Sequence, residues 1–372
     1  MAGYTIYDCT LSTLTPLHIG CGRELLNEYD YAIYRGRTWR IDENALLDAQ
    51  NVDDPRLAEQ LARTPPAQLL RQPDDFQPES GFFRYVVQGT PRSQAAGAQL
   101  REQIKDAFDR LYLPGTSLKG GIRTALAWHL WRQKRLRPEI GKIGRSPKWA
   151  GQQYEKDLLG STPNQDTMRA LQVSDSAPIG VDRLLILNVS VIGRGGHLGA
   201  PIEMEAIAQD TELQFTLKVD HQLFSDWAVG YGLKLGGADL LENLPRAVHS
   251  HSVALARKEA VWFGGIAGAE RVADAYRQFS DSRPGSRRFL IPLGWGTGWE
   301  SKTFGSHLQE DTNLMERLIE DFRMARGERK AGDPFPKSRR VAVRIDKDRQ
   351  GRPIVAPVAP LGWCLVEMKE RK

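Results

Sequence analysis

Apolar residues alternate with a period of two at both ends and in the middle of this 372-residue chain, and helical stripes lie between these runs without a regular rhythm. A period of two sends successive side chains to opposite faces, as a half-buried strand requires. Tyr4 to Thr15 alternates in this way. Pro16 breaks the pattern and Gly20 and Gly22 mark a turn, so a first strand should end near Leu14. Tyr31 to Ile41, with Gly36 at its middle, predicts a second extended run that joins the first in a hairpin-like unit across the His18 to Glu28 loop. Further strands are expected at Phe82 to Val87, Leu184 to Ile192, Glu203 to Ala208, Glu212 to Asp220, Val341 to Ile345 and Gly362 to Glu367. Leu100, Ile104, Ala107 and Phe108 give Ala98 to Arg110 a helical spacing, and Ala254 to Ser280 and Asn313 to Ala325 are expected as helices. Residues 49–80, crowded with prolines, glutamines and acids, predict a peripheral insertion. Without the βαβ rhythm of a doubly wound sheet the class is α+β, and the length suits two domains.

Two glycine-rich islands carry the chemistry. The first, Leu113 to Thr124, reads LPGTSLKGGIRT; the second, Leu293 to Thr303, reads LGWGTGWESKT. In the first, Pro114 and Gly115 make a turn, and Thr116 or Ser117 can cap a helix whose stripe of Leu118, Ile122, Ala125, Leu126 and His129 runs to about Arg135. Lys119 and Arg123 share a face near its N-terminus, where a positive charge opposes the macrodipole at a cost of roughly 0.3–1 kcal/mol. A bound phosphate would reverse that sign by drawing on the free N–H groups of the first turn, the dipole and both cations. A solvated face, with the glycines serving close helix packing, explains the same residues. In the second island Gly294, Gly296 and Gly298 alternate with Trp295, Thr297 and Trp299, and Lys302 follows. Neither the G-x-G-x-x-G nor the Walker spacing is met. The composition suits stacking on bases while the backbone and Arg287, Arg288 and Lys302 meet phosphates; tryptophans buried in a core beside a glycine bulge are the other explanation.

Other candidates are weaker. His18, where a strand gives way to a glycine turn, could act as general base for RNA cleavage through the 2′-hydroxyl, but no second acid or base stands beside it in the sequence. His249 and His251 would share one side if extended, yet have no cysteine or acid at ligand spacing, and no metal is expected. Asp175 in VSDSAP is expected to cap local N–H groups. In the basic stretch PFPKSRR, Pro334 to Arg340, prolines restrict the backbone that holds Lys337, Arg339 and Arg340. A net charge of +5 and a pI near 9.0 are compatible with a polyanion partner. Cys9, Cys21 and Cys364 lie far apart and suit a reduced, cytoplasmic setting. No signal-peptide layout is evident, and the most apolar stretch is too short to span a bilayer.

The set LTPLHIGCG, LPGTSLKGGIRTAL, ALQVSDSAPI, IEMEAIAQDTELQFTL, LGWGTGWESKT and DPFPKSRR resembles the RAMP superfamily of CRISPR proteins, with an order and spacing similar to the fifth Csm-type subunit of type III-A effector complexes. The resemblance spans Leu14 to Arg340. PGTSLKG is shared across the superfamily, whereas WGTGWESKT and PFPKSRR point to that subunit. It implies two ferredoxin-like, RRM-related domains with insertions, here residues 1–175 (insertion about 49–80) and 176–372 (glycine loop 293–303). It further implies a non-catalytic subunit that caps the 3′ region of the CRISPR RNA, contacts the neighbouring backbone RAMP subunit and takes part in CRISPR RNA maturation, with host nucleases as possible trimming partners. No cofactor is implied. RNA-facing residues would include His18, Gly115, Ser117, Lys119, Gly120, Arg123, Arg288, Gly294, Trp295, Gly296, Gly298, Trp299, Lys302, Lys337, Arg339 and Arg340. A metal-independent RAMP endoribonuclease using His18, and a nucleotide binder using the Gly294 loop, are the alternatives.

Overall fold

The first strand ties the two ends of the chain together. In a computed structural model that describes residues 3–50, 59, 63–325, 329–330 and 332–372, β1 (Tyr4–Thr13) pairs antiparallel with β10 (Glu212–Asp220) on one side and β14 (Trp363–Glu370) on the other. With β7 (Leu171–Val173) and β11 (Arg288–Pro292) at its edges, this makes a five-stranded sheet in the order β11-β14-β1-β10-β7. A nine-stranded sheet runs β2 (Gly20–Leu26), β6 (Gln99–Gln103), β9 (Leu198–Ile207), β8 (Leu184–Gly193), β5 (Phe83–Gln88), β4 (Arg37–Ile41), β3 (Tyr31–Tyr34). In addition, β12 (Ser338–Lys347) pairs with β8 and carries β13 (Pro353–Ala359). Both sheets draw strands from both sides of residue 175. The architecture is α+β, two curled sheets of the ferredoxin-like, RRM-related kind.

Five helices of eight residues or more lie among the described residues: α1 (Gly115–Gln133), α2 (Gln152–Leu159), α3 (Leu244–Gly264), α4 (Glu270–Asp281) and α5 (Thr312–Asp321). Leu118, Ile122, Ala125, Leu126 and Leu130 of α1 pack on Leu11, Leu213, Leu217, Phe289 and Ile291 of the five-stranded sheet, one contiguous apolar core. Helix α3 bridges cores: Ala247 and Val248 join that one, while Leu255, Ala256 and Phe263 pack with α4 against Ile192, Val341, Val343 and Trp363. It also guards the open edge of β11, for Ser252 Oγ donates to Leu290 O at 2.6 Å and Leu290 N donates to His249 Nδ1 at 3.3 Å. The described part of the 49–80 segment packs Leu70 and Phe76 on Trp39 and Ile41 of the β3–β4 hairpin, a separate small core. Asp53 and Asp54 lie outside the described residues.

Several expected elements differ. Residues 98–110 form a strand and a turn rather than a helix. Asp106 Oδ1 accepts from the N–H groups of Phe108 and Arg110, and this Asx turn, with Asp109 at φ 60°, outweighs the helical spacing. The segment after His18 is strand β2, paired with β6, so the Tyr31 run folds on itself as β3–β4 around Arg35 and Gly36 instead of pairing with β1. Ala254 to Ser280 is two helices, separated at Gly265–Ala269, where Gly268 takes φ 83°. His249 and His251 therefore lie on a helix, where two-residue spacing separates them. Part of the 327–340 stretch lies outside the described residues.

Candidate nucleic-acid interface

The first island opens α1 as expected, but its glycines mostly meet protein. Pro114, not Thr116 or Ser117, is the N-cap, and neither of those hydroxyls caps the helix; Ser117 N instead donates to Pro114 O. Gly115 is buried against the carbonyls of Val173 and Ser174, where a Cβ would sit 2.4 Å from oxygen, and its N–H is taken by Asp175 Oδ1 at 2.7 Å. Asp175 is thus the cap its sequence context suggested, and a carboxylate occupies a place the phosphate was expected to fill. Gly121 packs on Leu293 of the second island, whereas Gly120 faces open space. Arg123 is held by Asp166 at 2.7 Å and Glu155 at 3.1 Å, and those carboxylates resolve the conflict with the helix dipole. Lys119, half-buried, is lowered by desolvation while Asp166 acts in the opposite sense.

The second island wraps onto the His18 turn. Trp295 N donates to His18 O at 2.8 Å, and Gly294, at φ 72°, lies so close that a Cβ would come within 2.3 Å of the same carbonyl. Gly296 is similarly filled by Leu361, and only Gly298 looks onto open space. Trp299 packs edge-on to Phe335 and over Gly305. Hence the two islands are interlocking surfaces, not two bare amide cradles. They meet at a cavity of about 380 Å³ whose lining includes Arg123, Thr124, Trp299 and Lys302. Lys302 reaches solvent, but desolvation by the surrounding protein draws its ammonium down to about 8, so it is still mostly a cation at neutral pH.

What the fold assembles is a cluster centred on Trp295. The guanidiniums of Arg101, from β6, and Arg340, from β12, lie over its indole with Cζ 4.9 and 4.8 Å from the ring centroid, and His18 meets it edge-on at 6.4 Å. Below it are Leu187, Val189, Met204, Ala206 and Ala342, an apolar sheet face that anchors the half-buried ring. A guanidinium held over an indole has already given up rotamer freedom and loses less on binding an anion, which suits phosphate and base recognition. Sequence reasoning missed Arg101 because it lay in the misassigned helix; the alternation of Leu100 and Glu102 inward against Arg101 would have revealed it.

His18 itself is buried. Its Nδ1 lies 2.6 Å from the carbonyl of Glu205, and burial lowers it to about 4, with the cations Arg101 and Lys105 pushing the same way. The ring is therefore neutral at pH 7 and a weak base. Behind it Glu205 binds Tyr85 at 2.8 Å and Lys105 at 2.6 Å, a buried network that fixes the β6–β9 junction. The remaining predicted cations are engaged in ion pairs. Arg288 meets Glu367 at 2.6 Å, Lys337 meets Asp333 at 2.5 Å, and Arg339 meets buried Glu259 at 2.7 Å. Strand alternation sends Arg339 toward α3 and its neighbour Arg340 toward Trp295. Among the described residues no cluster of His, Cys, Asp and Glu is arranged to hold a metal ion, and no helix is long and apolar enough to cross a membrane.

A model of the RAMP superfamily matches residues 10–301. The chain belongs to the RAMP superfamily. Among RAMP relatives, "CRISPR system Cms protein Csm5" of Streptococcus thermophilus is 27% identical over 239 residues, 58% of this chain and 64% of that protein. The protein of the same name from Methanocaldococcus jannaschii is 26% identical over 223 residues, 57% of this chain and 52% of its own length. The chain thus spans between half and two-thirds of the relatives it matches. Among solved folds, a chain of a cryo-EM Csm–crRNA–target RNA ternary complex of a type III-A CRISPR-Cas system superposes with a TM-score of 0.69 at 24% identity, covering 98% of this chain and all of that one. The crystal structure of T. onnurineus Csm5 gives 0.61 at 23% identity, covering 95% and 99%.

Proposed function

We propose that this RAMP protein is a Csm5-like subunit of a type III-A Csm complex that binds the CRISPR RNA, caps its 3′ region beside a neighbouring backbone RAMP subunit, and takes part in its maturation in the cytoplasm without cleaving RNA. The carrying observation is Trp295 with Arg101, Arg340 and His18 on one sheet face, aromatic and guanidinium chemistry matched to bases and phosphates. The Csm5 relatives set the biological context. The reading without cleavage is supported by a buried, weakly basic His18 whose charged influences are the cations Arg101 and Lys105, which makes it a poor general base. Trimming then falls to host nucleases. The test is co-expression with a CRISPR array and the other Csm subunits, followed by sequencing of the copurified RNA. Repeat-tagged CRISPR RNA should accompany the wild-type chain and assemble with the complex. Trp295→Ala should weaken RNA binding by about 1–3 kcal/mol, the usual range for a lost stacking aromatic. Copurification of no such RNA, or an unaltered affinity in the variant, refutes the proposal.

A further inference from the structure

We propose that the groove between α3 and the 283–288 loop is a second binding track for a single-stranded RNA backbone, separate from the Trp295 cluster. The proposal rests on the RNA-binding function above. The groove, about 810 Å³, is lined by five arginines, Arg246, Arg257, Arg283, Arg287 and Arg288, all exposed. Three acids bear on it. Glu242 stands in the lining, while Glu367 and Glu370 hold Arg288 at 2.6 Å and Arg287 at 2.9 Å from β14. Arg246, Arg257 and Arg283 have no carboxylate partner among the described residues; Arg283 donates only to the carbonyls of Ser280 and Ser282. The arrangement follows from the helix period. Arg246, Ser250, Val253 and Arg257 fall at spacings of four, three and four on one stripe of α3, while the opposite stripe of Ala247, Val248, Leu255 and Ala256 is core. His249, on the same stripe, spends both ring nitrogens on Leu290 N and Ser282 O, so it shapes the wall rather than adding charge.

The size selects the ligand. Arg246 and Arg257 are eleven residues apart on α3, roughly 16 Å at the helical rise, farther than one phosphate or a mononucleotide can bridge with its charge. The track also extends. Asn243, Arg246 and Ser250 line a neighbouring cavity as well, where α1 contributes His129 and Arg132 against the single acid Asp239. A polymer with charges at regular intervals fits this row, and guanidinium forks favour phosphate oxygens. Tyr7 and His249 are the aromatic residues of the lining, and His249 is committed to its own hydrogen bonds, so phosphate contacts should dominate and recognition should be independent of sequence.

The test is fluorescence anisotropy of the full-length protein with fluorescein-labelled oligouridylate across a salt series. Arg246→Ala/Arg257→Ala/Arg283→Ala should shallow the slope of log affinity against log salt by roughly two, at about 0.7 per phosphate contact on a single strand. Arg246→Lys/Arg257→Lys should largely keep it. Because these side chains are exposed, an unchanged circular-dichroism melt controls for folding. Should the triple variant keep the wild-type slope while Trp295→Ala loses affinity, the groove proposal falls and the Trp295 function stands. Wild-type protein that binds no oligouridylate overturns both. If polyglutamate competes with the RNA in wild type, and its own binding is lost in the triple variant while RNA binding is not, the groove serves an acidic polypeptide and the RNA assignment is overturned.

Discussion

Gly294 and Gly298 lie four residues apart with nearly equal backbone angles, φ 72° and 94°, yet substitution should affect them very differently. An alanine at either position is held in a left-handed conformation, at about 1–2 kcal/mol. At Gly298 nothing lies within 4 Å of a built Cβ, so that cost stands alone. At Gly294 the Cβ would come 2.3 Å from the His18 carbonyl, 2.9 Å from Ile19 Cδ1 and 3.0 Å from Leu17 Cδ1. The carbonyl is backbone and already accepts from Trp295 N, so it cannot swing aside; relief requires separating the two loops, at about 1–3 kcal/mol for forced overpacking. Gly294→Ala should therefore lose about 3 kcal/mol and Gly298→Ala about 1 kcal/mol. Urea titration followed by tryptophan fluorescence measures both, and affinity for single-stranded RNA is read alongside. The reasoning is refuted if the two variants lose equal stability, or if Gly294→Ala keeps its stability and loses RNA binding outright, for then Gly294 is an approach point for phosphate rather than a packing contact.

Two further outcomes follow from buried charge. Glu259→Gln leaves the Arg339 guanidinium, nearly buried over Trp262, without its carboxylate, and should cost about 3–5 kcal/mol in urea unfolding, whereas Glu259→Leu/Arg339→Leu should recover most of that loss. His18 and His251 are each held neutral by burial, with folded values near 4 against an ordinary value near 6.5. A depressed histidine binds its proton more tightly when unfolded, so stability is full above about pH 6.5 and falls as pH drops toward 4, by up to about 3 kcal/mol for each group. His251→Asn should roughly halve the fall of the urea midpoint over that window, His18 keeping its share; a wild-type midpoint independent of pH between 4 and 6.5 would contradict the burial argument.

The sheets were legible wherever one strand face was core and the other solvent. Glu212 to Asp220 is a strand over just those residues, because Leu213, Phe215, Leu217 and Val219 all turn inward. Strand β13 left no such signature. Its two prolines argue against a central strand, yet among the described residues it pairs with β12 alone, and an edge tolerates them. Residues 98–110 were misassigned because four apolar residues match a helix by chance while a single turn-forming carboxylate, Asp106, decides the backbone. Arg101 disappeared from the expected site for that reason, and with it half of the guanidinium pair over Trp295.

The candidate site shows why glycine and charge were ambiguous in one dimension. A glycine signals that something comes close, but whether that is ligand or protein depends on elements distant in the chain: the His18 carbonyl reaches Gly294 from the first strand's end, and Ser174 fills Gly115. Charge behaves alike. Lys119 and Arg123 oppose the dipole of α1 when that helix is considered alone, yet Asp166 and Glu155, 43 and 32 residues downstream, neutralise Arg123 and leave Lys119 beside Asp166. Arg246 and Arg257 receive no such carboxylate from anywhere in the described chain. A cation row that the fold leaves uncompensated is better evidence for an external anion than a glycine motif whose space the fold has filled, and that is what separates the groove along α3 from the two glycine islands.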